Sequence, residues 1–193
     1  MRNPLLTWSL LAALACTTGP TAVAHEALPT TEGTPTHGAL QTIAALDVPR
    51  YMGIWFEIAK FPNRFQRQCT GPTSATYRLN EDGTVQVINR CQTDSGITEA
   101  IGAARQIGPA TSPQLKVRFA PAWLSFLPFV WGNYWVIDLD EGYQLAAVSE
   151  PSREYLWILS RTPQVAPDVY ARLLDRLSGL GLDISKLEVT RQR

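Results

Sequence analysis

Side chains able to do nucleophilic, acid–base or metal chemistry are sparse in this chain, and they are badly placed for it. Both histidines, His25 and His37, lie in a Thr-, Pro- and Gly-rich stretch ahead of the first strand-like run. That position excludes histidine general-base chemistry from the globular part and leaves a histidine-containing metal site without ligands there. Glu57, Glu99 and Asp138 stand singly. A lone inward Glu57 suits hydrogen bonding or gating better than acid catalysis. There is no Gly-x-Ser-x-Gly and no phosphate-binding glycine loop. The expectation is a binding protein and not an enzyme, with no metal and no cofactor. Equal numbers of basic and acidic residues, 17 of each, give no argument for a nucleic-acid partner.

Cys69 and Cys91 are the two cysteines within the globular part. They sit at the outer ends of two strand-like runs, Thr73 to Leu79 and Thr84 to Arg90, which flank Asn80-Glu81-Asp82-Gly83, a strong hairpin turn. Hairpin pairing brings them close, and in an exported chain such a pair is a disulfide. A thiol nucleophile and a metal pair are the rival readings, and neither has supporting side chains.

These two strands belong to a longer series. Ile54 to Phe61, Ile97 to Ile107, Gln114 to Phe119, Tyr134 to Leu139, Tyr143 to Ser149 and Tyr155 to Arg161 complete eight short strands, separated by turn signals and not by helices. Eight antiparallel neighbours can close into an up-and-down barrel without exposed edges. A β-sandwich is the alternative. One helix is expected, from Pro167 to about Ser178. Proline suits its first position, Asp168 its positive end, and Val169, Leu173 and Leu177 form an apolar stripe that the outside of a barrel would cover. Lys186 to Thr190 reads as a short closing strand.

The N-terminus reads as an export signal. Arg2 is the charged region, and Leu5 to Ala15 is apolar but too short to span a bilayer. Cleavage after Ala24 makes 1–24 a signal peptide, 25–45 a flexible linker and 46–193 the folded domain. Alternatively, Ala13-Leu14-Ala15-Cys16 is an imperfect lipobox, and Cys16 is the site of lipidation. The product is exported, to the periplasm or to the outer membrane by a lipid anchor.

Asp47 and Tyr51, then Gly53-Ile54-Trp55 and Phe56-Glu57-Ile58, combine with a late Leu156-Trp157-Ile158-Leu159-Ser160-Arg161. This combination resembles the lipocalin family, in the branch of bacterial outer-membrane lipocalins and apolipoprotein D. The resemblance covers about Leu46 to the C-terminus. It implies an all-β fold: an eight-stranded antiparallel barrel with one C-terminal helix packed outside. It implies a closed-end motif of Gly53, Trp55 and Arg161, the guanidinium stacked on the indole. It also implies ligand-binding positions at Tyr77, Asn89 and Tyr134. Period two adds Trp157 on the side of Arg161, and turns Glu57 and Ala59 inward with Trp55.

The implied ligand is a fatty acid or lysophospholipid, carried or stored in envelope maintenance. A pigment or haem-like ring, or a lipocalin-fold enzyme, is the alternative. One segment stands apart. Between Phe119 and Gly132 the chain carries Trp123, Leu124, Phe126, Leu127 and Phe129 with no charge, interrupted by Pro121 and Pro128. Either it plugs the barrel or it forms an exposed lip for peripheral membrane contact. A homodimer is left open.

Overall fold

The computed structural model describes residues 38–192. The expected signal 1–24, Cys16, both histidines and most of the expected linker lie outside them. The last part of that linker is not loose, which moves the expected boundary upstream. Leu40 is buried in a core cluster, and the Ile43 amide donates to Val136 O at 3.1 Å.

A short helix α1 (Val48–Tyr51) comes first, its N-terminus capped by the Asp47 carboxylate on the Arg50 amide. Eight strands follow: β1 (Gly53–Lys60), β2 (Thr73–Leu79), β3 (Val85–Thr93), β4 (Gly96–Gln106), β5 (Gln114–Arg118), β6 (Gly132–Leu139), β7 (Leu145–Ser149) and β8 (Leu156–Ser160). Each pairs antiparallel with the next, and β1 pairs with both β8 and β2, so the sheet closes on itself. This closure decides against a sandwich. Helix α2 (Pro167–Gly179) and a two-residue strand β9 (Glu188–Val189) complete the chain. Strand β9 pairs with Ala59 and Lys60 at the end of β1 that β2 does not reach.

Two apolar clusters divide the core. The inner one includes Trp55, Tyr77, Val85, Val87, Leu115, Val136, Val148 and Leu159. The outer one joins Leu173 and Leu177 of α2 to Ile137, Leu145, Ala147, Leu156 and Ile158. Strand β7 serves both, with Ala146 and Val148 inside and Leu145 and Ala147 outside, which is why it reads as an unbroken apolar run. Ala59 belongs to the outer cluster, against the inward expectation. The register of β1 on β8 shifts between Glu57 and Ala59, and such a bulge puts consecutive side chains on one face. A second bulge between Val136 and Asp138 turns Asp138 toward α2, where Arg176 grips it with two hydrogen bonds of 2.7 and 2.9 Å.

Candidate functional site

One end of the barrel is sealed by stacking. Gly53 has φ +101°, a conformation that side chains rarely tolerate, and a Cβ there would lie 3.1 Å from Arg161 Nη1. The bare glycine lets the Arg161 guanidinium sit 4.0 Å from the centre of the fully buried Trp55 ring. Its nitrogens then donate to Ile54 O at 3.0 Å, Arg50 O at 2.9 Å and Tyr143 O at 3.3 Å. Trp55 Nε1 donates to Tyr51 O at 2.8 Å, tying α1 across the end. The three motif residues are thus brought together as a structural closure.

Directly above lies a small cavity of about 20 Å³, room for roughly one water. Leu46, Val48, Val85, Val87 and Leu115 line it together with three tyrosines. Tyr134 Oη lies 2.9 Å from Tyr51 Oη and 3.0 Å from Tyr77 Oη, so the three phenols satisfy one another. Burial pushes the Tyr77 phenol up to about 12 and the other two well above their usual value, so all three stay protonated and neutral. Tyr77 and Tyr134 were expected here. Tyr51 is a further site residue that sequence reasoning did not single out, although an aromatic two residues ahead of Gly53 is the available signal.

Toward the other end, the chain between β1 and β2 folds back. Residues Arg64–Gln66 form a 3₁₀ turn capped by Asn63, and Gln66 reaches in. Its Nε2 donates to Glu57 Oε2 at 2.5 Å, and its Oε1 accepts from Trp157 Nε1 at 2.9 Å and Asn63 Nδ2 at 2.8 Å. Thr190 Oγ1 donates to the second Glu57 oxygen at 2.6 Å. Both Glu57 oxygens are therefore committed to protein groups, and burial raises its pKa despite those donors. Glu57 and Trp157 form a latch with Gln66, which no sequence signal marked. The Cys69–Cys91 disulfide, Cα atoms 5.6 Å apart, pins the same segment to β3.

The barrel wall is incomplete between β4 and β5, across the strand order from β8 and β1. Strand β4 pairs with β5 only from Ala103 to Gln106, so its first half stands free on that edge. Thr98 and Ala100, opposite Cys91 and Asn89, are exposed there, and so are Ile97 and Ile101. Asn89 is half-buried and faces the same flank across from Ala75 and Ala100, not the small cavity. The apolar segment joins β5 to β6 and is built of two 3₁₀ turns, Ala122–Leu124 and Pro128–Val130. Phe126 and Phe129 are 75% and 79% exposed, and Leu124 and Leu127 are half-buried. Phe126 and Phe129 therefore stand outside the barrel interior.

A lipocalin-like domain model matches residues 46–192. Temperature-induced lipocalin-1 of Arabidopsis thaliana is 43% identical over 155 residues, 79% of this chain and 83% of that protein. Outer membrane lipoprotein Blc of Escherichia coli K12 is 41% identical over 155 residues, 79% and 82% of the two chains. Apolipoprotein D of Mus musculus is 31% identical over 154 residues, 76% and 77%. Among solved structures, the cockroach allergen Per a 4 superposes with a TM-score of 0.60 at 22% identity, covering 79% of this chain and 93% of that one. At that identity the likeness concerns the fold alone.

Proposed function

The chain belongs to the lipocalin family, and from that membership we propose that it binds and carries or stores a fatty acid or lysophospholipid in a bacterial envelope. The observation that carries this reading is the union of a closed apolar end, whose polar atoms satisfy one another, with a flank open to solvent. An acyl tail directed toward Tyr51, Tyr77 and Tyr134 meets ring faces and valine side chains. A polar head is left at the rim, near Asn89 and the latch. Because the cavity holds only about one water, a tail enters by displacing Gln66 from Glu57 and Trp157. Export supports the same reading: the signal-like residues 1–24, or a lipid anchor at Cys16, would deliver the barrel to the periplasm or outer membrane. A relative at 41% identity is an outer membrane lipoprotein.

Titrating the protein with saturated fatty acids of increasing length, following tryptophan fluorescence, tests the proposal. Each buried methylene contributes about 0.8 kcal/mol before the costs of binding. Affinity should rise with length and then level off as the container fills. Flat affinity across lengths would reject an acyl pocket and point to a ring-shaped ligand.

A further inference from the structure

Below the lip lies a second site, on the outer face of the barrel. Strand alternation puts Ala103 and Arg105 of β4 and Lys116 and Arg118 of β5 on the face opposite the inward Ala104, Leu115 and Val117. Trp131 lies over them, with the Arg105 guanidinium 4.4 Å and the Arg118 guanidinium 5.3 Å from its ring centre. None of the three cations forms a salt bridge among the described residues, and Glu99 on the same strand is taken by Arg90 at 2.6 Å. Arg118 is the unusual member. It is only 9% exposed, its Nη1 donates to Ala120 O, and its Nε is buried with no hydrogen-bond partner. A buried guanidinium nitrogen without an acceptor is costly, because it has left water and gained nothing in return. Arg118 lines an open groove of about 340 Å³ with Ile101, Gly102, Phe119 and Pro121. Gly102 is what allows the groove this shape: a Cβ there would come within 2.6 Å of Arg118 O and 2.8 Å of the Phe119 ring.

We propose that Arg118, with Arg105 and Lys116, seats the phosphate of an anionic phospholipid in a membrane surface, while Phe126 and Phe129 enter its acyl layer. The charges decide the occupant. The chain is neutral overall, yet β4 and β5 put on this face three cations that make no salt bridge among the described residues, and the segment that follows β5 carries two exposed phenylalanines. Guanidinium forks suit phosphate oxygens, and cations flanking exposed aromatics suit an anionic interface. The seat adjoins the free edge of β4 through Ile101 and Gly102, so a docked membrane lies against the open flank of the barrel. The inference rests on the lipid-carrier reading by naming the surface from which that carrier loads.

Co-sedimentation with phosphatidylcholine vesicles, with and without phosphatidylglycerol, tests it. The wild-type protein should bind the anionic vesicles far better, with affinity falling as salt rises. The surface double variant Arg105→Gln/Lys116→Gln should bind them on the order of 30-fold more weakly, from about fivefold per cation. Arg118→Gln should weaken binding again, while Arg118→Lys retains part of it. If Arg118→Gln fails to fold, the double variant alone decides. Equal binding to neutral and anionic vesicles, or an undiminished double variant, overturns the proposal. Inorganic phosphate at matched ionic strength should not displace the vesicles; if it does, the seat is for free phosphate. Fatty-acid titration of the double variant should match wild type. Loss of that titration in wild type with vesicle binding intact would sink the carrier reading and leave the seat standing.

Discussion

Arg161 and Trp55 illustrate how one contact at the closed end carries several constraints at once. The guanidinium satisfies three carbonyls and covers an indole, all at the sealed end and none of it facing the cavity. Arg161→Ala should therefore lower stability by roughly 1–2 kcal/mol in chemical denaturation while leaving fatty-acid affinity unchanged. Lost binding with folding intact would reassign this end. Tyr134→Phe makes a sharper demand. Removing the central hydroxyl strands both Tyr51 and Tyr77 in an apolar cavity, so roughly 1–3 kcal/mol should be lost although only one oxygen is deleted. Glu57 gives the pH dependence. Its native pKa is raised, by burial first, so the folded state holds the proton more tightly than the unfolded chain. That contribution to stability is complete below the unfolded pKa and is lost as pH rises through the native one. Glu57→Gln, whose amide can still accept from Gln66 and donate to Thr190, should flatten this decline. A decline of equal size in the variant would place its origin elsewhere.

At the scale of elements, the loop between β1 and β2 is held by the Gln66 latch and by the Cys69–Cys91 bond, and the two act differently. The disulfide restricts the unfolded chain, contributing on the order of 3 kcal/mol, and limits how far the loop can swing. Cys69→Ser/Cys91→Ser should melt earlier and take up fatty acid faster, since a freed loop leaves the latch more readily. Unchanged uptake would separate the loop from entry. Strands, the hairpin pair and α2 were legible in the sequence because each depends on local period and turn chemistry: Asn80–Gly83 sets a register, and Pro167 with Leu173 and Leu177 sets a helix face. Tertiary detail was not. Ala59 was turned the wrong way because a bulge breaks period two without leaving a mark in composition. Gln66 stayed invisible because its value lies in reaching Glu57 and Trp157, far along the chain. The linker was extended too far because one buried residue, Leu40, outweighs the polar run around it. Of the candidate pocket positions, only Tyr77 and Tyr134 line the small cavity, since face assignment separates inside from outside but not depth within the barrel.

For the whole molecule, the proposed carrier role raises the question of how a barrel in a chain of no net charge would reach a lipid source. Covering α2 with the outer cluster leaves the lip between β5 and β6 as a concentrated apolar surface. Phe126 and Phe129 of this segment are exposed, and so are Ile97 and Ile101 of the free β4 edge. Exposed apolar area of this kind favours an interface, and it makes no contribution to folding that replacement would remove. Phe126→Ser/Phe129→Ser should therefore leave the melting temperature close to wild type, as surface substitutions change stability by only about 0.5 kcal/mol either way. Vesicle binding and transfer of fatty acid from vesicles should both fall, while uptake of free fatty acid from solution continues, because the container is untouched. The opposite pattern, an early melt with vesicle transfer intact, would mean that the lip packs against the barrel in solution and that membrane docking occurs elsewhere.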